Sequence, residues 1–296
     1  MLLLPGLGFS QNLTDGLMMS ANSLCTGFMF SHDRWTHYWE GELKRNNENI
    51  GALTTQSLVW AGTYGLTDKI NLIAMLPYIK TDASNGNMSG MEGLQDATLA
   101  VKYKIYEKGL GDGSFKSFAV VGASTPLSNY TPDYYPFSLG TGTTNLIWRL
   151  NAIFKLTRGF YTNISGGYTW RSNTKLDRAA YYTDGQMFMT NEVKMPNVAD
   201  LAASLGYLNG GLQAEVFYLQ QNTLGGGDIR RQDMPFVSNR MNFSKAGALL
   251  MYYLPMHKNL AVRASTSLTL AGRNIGESTT FMGGLFYTFH FSNKSE

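Results

Sequence analysis

Between Thr279 and Phe291 the chain alternates without a break. Leu285, Tyr287, Phe289 and Phe291 fall on one face of an extended segment, and Gly284, Phe286, Thr288 and His290 fall on the other. Bulky apolar side chains at every second position are favoured where one face of a strand meets hydrocarbon. A bilayer core offers no water to the backbone, so such a strand must hydrogen-bond along its whole length to neighbours, and a sheet without free edges is a closed barrel. An edge strand of a soluble sandwich would share the alternation of this one segment, so the rest of the chain decides between them.

The same period recurs along the chain. Alternation predicts twelve strands, near 22–32, 50–64, 68–79, 94–107, 115–125, 142–157, 159–171, 197–208, 210–221, 241–255, 259–271 and 279–291. Short connections (65–67, 108–114, 158–159, 209–210, 256–258) alternate with longer ones (33–49, 80–93, 126–141, 172–196, 222–240), with 272–278 closing the series on the long-loop side. Short periplasmic turns facing longer extracellular loops are the pattern of an outer-membrane barrel with both ends in the periplasm. The expected fold is therefore all-β, an antiparallel up-and-down transmembrane β-barrel of about twelve strands.

Charge placement orients the strands. Asp96, Lys102 and Lys104 alternate with Val101 and Tyr103, and Asn145, Arg149, Asn151 and Lys155 alternate with Leu146, Trp148, Leu150 and Phe154. Asn163 and Arg171 lie on one face of their strand. Asp200 opposes Leu201, Gln213 and Glu215 oppose Leu212 and Val216, and Arg263 opposes Val262. Arg or Lys at the bilayer midplane costs about 2–4 kcal/mol, so these thirteen residues are expected to line the lumen. Strands 68–79 and 115–125 are apolar on both faces, which fits a partly apolar lumen wall. Trp60, Tyr64, Tyr78, Tyr103, Tyr161, Tyr168, Trp170, Tyr207, Tyr218 and Tyr253 sit near strand ends, as an interfacial aromatic girdle would; a sugar-stacking track would use the same residues.

Composition agrees. Charged residues make up 15% of 296 and aromatics 13%, and no run approaches the roughly 20 apolar residues of a membrane-spanning helix. The net charge of +3 carries no basic block, so nucleic acid is not an expected partner. Cys25 is alone, cannot form an intramolecular disulfide, and is expected to pack. Leu2 to Phe9 followed by Ser10 reads as the remnant of a signal peptide (residues 1–10), with cleavage before Gln11 and a barrel over 11–296.

The aromatic end of the last strand is similar to the C-terminal assembly signature of bacterial outer-membrane proteins, with five residues following Phe291. A second resemblance is more specific. Tyr64-Gly65-Leu66-Thr67-Asp68-Lys69-Ile70-Asn71, Met75-Leu76-Pro77-Tyr78 and Gly93-Leu94-Gln95-Asp96-Ala97-Thr98-Leu99-Ala100-Val101-Lys102-Tyr103 resemble the MetA-pathway phenol-degradation-like family of outer-membrane β-barrel transporters. The resemblance covers about 40 residues and implies a barrel type, with a weak association to uptake of aromatic compounds. In this reading Gly65 opens a tight turn whose backbone Thr67 and Asp68 hold.

Catalytic chemistry is sparse. Outer-membrane phospholipase also has twelve strands, but its His-x-Ser and Asn-Gly pattern is absent. Ser31, His32 and Asp33 are adjacent on one strand and cannot converge. His37 belongs to an aromatic rim segment, His257 to a turn, and His290 to the inner face near the periplasm. Gly225-Gly226-Gly227-Asp228 reads as a flexible loop in preference to a Ca²⁺ turn. No enzyme activity, catalytic residue, metal or cofactor is expected. The expected function is passive transport of small, hydrophobic or aromatic solutes across the cell outer membrane of a Gram-negative bacterium. The alternative is a non-transporting scaffold whose extracellular loops hold a partner protein or lipopolysaccharide, the latter through Arg171, Lys175, Arg178, Arg230 and Arg231.

Overall fold

The structure is a computed structural model describing residues 12–183, 185–231 and 234–291, so the expected signal-peptide remnant lies outside the described residues. Numbering only the long strands, the chain forms β1 (Ser23–Trp35), β2 (Leu53–Thr67), β3 (Ile70–Ala83), β4 (Asp96–Leu110), β5 (Gly113–Pro126) and β6 (Asn145–Leu156). The second half forms β7 (Phe160–Arg171), β8 (Val198–Asn209), β9 (Leu212–Thr223), β10 (Asn242–Leu254), β11 (His257–Arg273) and β12 (Thr279–His290). Each pairs antiparallel with the next in sequence, and β12 returns to β1 from Ser23↔His290 to Arg34↔Thr279. The result is a closed twelve-stranded antiparallel barrel, which leaves no strand edge to face lipid.

Alternation separates the two solvents residue by residue. Leu150 is 65% exposed and Val101 44%, whereas their neighbours Asn151 and Lys102 are 2% and 0% exposed. Phe28, Leu99, Ile164, Leu205 and Leu285 continue the outer apolar surface around the barrel. The two strands that were apolar on both faces are now oriented. Ile73, Pro77 and Ile79 of β3 and Phe118 and Val120 of β5 point inward, so one wall of the lumen is apolar.

Several turns shift by a residue or two from the expected positions. Gly65 to Thr67 belong to β2, with a bulge between Gly65 and Thr67, and the chain reverses at Asp68 and Lys69. Gly65 is required for another reason: a Cβ there would lie 2.0 Å from the carbonyl oxygen of Ser20. The β8–β9 reversal uses Gly210 and Gly211, both at positive φ (60° and 82°), as a two-residue turn with two left-handed positions demands. Asn209 instead pairs with Leu212. His257 and Lys258 open β11, leaving Pro255 and Met256 as the turn.

Two aromatics depart from the girdle. Tyr161 is 6% exposed and Tyr253 packs against the inner cluster of Met29, Val59 and Met251, while their neighbours Phe160 and Tyr252 face outward. Strict alternation overrides position near a strand end.

The long connections fold on one another. Tyr135, Leu176, Tyr181, Val193, Phe236 and Val237 form a buried apolar knot drawn from the 127–144, 172–197 and 224–241 loops. The Tyr181 ring stacks on Phe188 and Phe236 at 5.1 and 5.3 Å. This knot roofs the long-loop end of the barrel.

Candidate functional site in the barrel lumen

Ahead of β1, residues 12–20 lie inside the barrel. Asn12 begins a compact turn of the kind its side chain favours: Asn12 Oδ1 accepts from the backbone N–H groups of Thr14 (2.7 Å) and Asp15 (2.8 Å), and Asp15 Oδ1 accepts from Leu17 N–H (3.0 Å). The segment leaves along the short-turn rim, where Ala21 N–H donates to Asp68 Oδ1 (3.2 Å) and Asn22 N–H to the Gly65 carbonyl (2.8 Å). Gly65 is the bare patch over which Ser20 passes.

Polar inward side chains hold this turn by its backbone. Lys102 Nζ donates to Asp15 Oδ1 (2.7 Å) and to the carbonyls of Asp15 (3.1 Å) and Leu17 (3.3 Å). Asn151 Nδ2 donates to the carbonyls of Leu13 (2.8 Å) and Asp15 (3.0 Å), and Asn163 Nδ2 to that of Thr14 (3.0 Å). Apolar contacts complete the fit. Leu13 packs on Ile73, Ala100 and Val120, and Leu17 and Met18 pack on Phe118, Ile153 and Tyr161. A Cβ on Gly16 would meet Ile153 at 2.5 Å. Nothing in the strand periodicity announces an internal plug; the Asn12-Leu13-Thr14-Asp15-Gly16 turn signal ahead of the first strand is the trace of it.

The remaining expected lumen residues have these positions. Arg149 donates to Asp200 Oδ2 (2.5 Å) and Ser165 Oγ (2.8 Å). Tyr161 donates to Glu215 Oε2 (2.5 Å) and accepts from Gln213 Nε2 (3.2 Å). Asn145 donates to Ser124 Oγ (2.9 Å), and Asp96 accepts from the Tyr130 hydroxyl (2.6 Å) in the folded roof. Asp96 and Lys102 share a face without pairing. Arg171 and Arg263 are 5% and 2% exposed. Lys104 and Lys155 lie toward the short-turn end, where Lys104 pairs with Glu107 at 2.5 Å.

Above the plug, a cavity of about 180 Å³ separates Asn12, Leu13 and Thr14 from roof residues Gly140 and Thr141. Arg149, Arg171, Asp96 and Asp200 contribute charge to it, and Val59, Met75, Pro77 and Phe243 contribute apolar surface. A smaller space, about 30 Å³, lies beside the plug among Asn163, Gln213, Glu215 and Arg263.

The other candidates resolve structurally. Ser31 and Asp33 are inward and bonded to Ser57 and Thr280, whereas His32 lies on the opposite face. Asp228 is gripped by Arg273 Nε and Nη2 at 2.8 and 2.7 Å and by Asn274 Nδ2 at 2.7 Å, so its carboxylate is a loop clasp. The Arg273 hydrogen bonds hold the Asp228 carboxyl below its ordinary pKa. Burial pushes the Tyr130 phenol upward. Cys25 is buried in the Met29–Val59 cluster. Arg178 pairs with Asp133 at 2.8 Å, and the buried Arg171 cannot reach a lipid phosphate.

The model of a family described as "Putative MetA-pathway of phenol degradation" matches residues 48–283. No curated protein matches the chain. Among solved structures, the chain is similar to an outer-membrane channel from Pseudomonas putida F1, with 14% identity, 92% of this chain and 97% of that chain covered, and a TM-score of 0.72. The NanC porin aligns at 10% identity over 88% and 98% of the chains with a TM-score of 0.48. A mutant of the monoaromatic hydrocarbon channel TodX aligns at 8% identity over 93% and 91% with a TM-score of 0.45.

Proposed function

Because the chain belongs to the family described as MetA-pathway of phenol degradation, we propose that it is a passive outer-membrane channel for small solutes with an apolar or aromatic body. One observation carries the reading: among the described residues, a short segment occupies a lumen whose walls are apolar on one side and charged on the other. Side chains of the barrel hold residues 12–20 by a handful of hydrogen bonds and one ion pair, so the segment can leave without unfolding the barrel. Once it is displaced, Ile73, Phe118 and Val120 offer an apolar track beside the polar strip of Asn151 and Asn163. The thirteen inward residues expected from alternation are proposed as the lining of that path. Chemistry on the solute is not part of this function.

Flux of a neutral monoaromatic solute into proteoliposomes tests it. The protein lacking residues 12–20 should pass the solute faster than the intact chain, and the heat-modifiable barrel band should persist. A truncated barrel that stays sealed would end the proposal.

A second reading rests on the loop knot of Tyr135, Tyr181 and Phe236. An ordered roof is a surface on which a partner protein, or lipopolysaccharide through Lys175, Arg178, Arg230 and Arg231, could be held. Pull-down from native membranes separates the two: a stoichiometric partner together with absent flux favours the scaffold.

A further inference from the structure

Buried arginines in this lumen differ in what they leave unpaired. Arg149 is matched by Asp200 and Ser165 through Nη2 and Nη1 and leaves Nε alone. Arg171, only 5% exposed, has neither Nε nor Nη2 hydrogen-bonded, and both atoms are closed off from solvent. These two atoms form one edge of the guanidinium, the edge that takes both oxygens of a carboxylate side-on. Arg273 shows the filled version in the same molecule: its Nε and Nη2 hold the two oxygens of Asp228 at 2.8 and 2.7 Å. Arg263 differs, because its unpaired atoms, Nε and Nη1, do not together form such an edge.

Arg171 lines the 180 Å³ cavity. A cavity of about 150 Å³ lined by apolar side chains accommodates benzene, so this one has room for a single ring and a small substituent. The acids within it are engaged, Asp200 with Arg149 and Asp96 with Tyr130; Asp96 is also an electrostatic neighbour of Arg171 but makes no hydrogen bond to its Nε or Nη2. Val59, Met75, Pro77 and Phe243 supply the apolar surface for a ring.

We propose that the cavity binds a small aromatic monocarboxylate, with the carboxylate on Nε and Nη2 of Arg171 and the ring against the apolar wall. That edge is covered in the structure, so binding turns the Arg171 side chain to bring it to the cavity it lines. This names a solute class for the channel reading and rests on it for biological meaning, but the site itself requires no flux.

Equilibrium binding of benzoate and of benzamide to the detergent-solubilised full-length protein, read by calorimetry, tests the site. Benzoate should bind and benzamide should bind about 10–100-fold more weakly, the range set by hydrogen bonds to a charged group. Arg171→Gln should abolish the difference, and Arg171→Lys, which keeps the charge and loses the fork, should restore only part of it. Equal binding of the two probes by the unaltered protein, no binding of either, or an unchanged preference in Arg171→Gln would each overturn the proposal. The first two outcomes require no variant to fold. Benzoate binding in a barrel that passes no solute would remove the channel reading and leave this site standing. Solute flux by a protein that binds benzoate no better than benzamide would do the reverse.

Discussion

Lys102 carries its ammonium to a place where it has no exposure, and among the described residues the carboxylate bonded to it belongs to Asp15 of the plug. Breaking one half of a buried ion pair typically costs about 3–5 kcal/mol, because the remaining charge is stranded. Asp15→Ala therefore penalises the plugged state, whereas withdrawal of the plug lets water reach Lys102. The expected result is a shift of about 10²–10⁴ toward the open state, seen as raised single-channel conductance or open time in planar bilayers with the barrel band unchanged. An unaltered conductance would mean that the pair does not hold the plug. Lys102 was legible as inward because lipid forbids a charge on its other face. Asp15 was not, since its partner lies 87 residues away and no period of the chain relates the two.

Strands were the most readable elements, and the reason is local. Each must keep lipid on one face, so a slip of one residue would expose a charge such as Arg149 and bury a residue such as Leu150. Arg149→Glu should still give the barrel band, though with lower stability from its like-charge contact with Asp200, and shift ion selectivity toward cations. Val101→Lys should instead reduce assembly by the roughly 2–4 kcal/mol of a midplane lysine, measured as loss of the heat-modifiable band. The opposite pattern would invert the assignment of faces. Tyr161 and Tyr253 sit near strand ends yet turn inward, because alternation decides the face and nearness to a strand end does not. Loops obey neither rule, and their order depends on contacts between distant segments such as Asp228 with Arg273. That clasp has a pH signature. Asp228 has a depressed pKa in the folded protein, so its contribution is complete above the unfolded value of about 4 and is lost as pH falls below it through the folded value. Hydrogen exchange in 224–241, corrected for the intrinsic pH dependence, should stay slow from neutral pH down to about 4 and quicken below it. Arg273→Gln should give fast exchange at every pH.

For the whole molecule, closure of β12 on β1 completes the barrel through its own strands, so the fold carries the inner segment and the loop-built roof without drawing on either for its hydrogen-bonded wall. The alternation of short and long connections was visible from the start because turns and loops differ in length, and length survives in sequence where contacts do not. The joining of three loops around Tyr135, Tyr181 and Phe236 was invisible, since each aromatic residue alone reads as an ordinary loop residue. Orientation follows from the same asymmetry: both described ends of the barrel lie with the short turns, which face the periplasm in barrels of this kind. Trypsin added to intact cells should therefore cut at exposed basic residues of the long loops, such as Lys194 and Arg231, and spare Lys69 in the β2–β3 turn and Lys258 at the start of β11. Arg178 and Arg230 should be cut more slowly, because their side chains are engaged with Asp133 and with the Tyr182 ring. Cleavage at Lys69 and Lys258 with the long loops untouched would place the roof in the periplasm and reverse the direction in which a solute meets the Arg171 cavity and the plug.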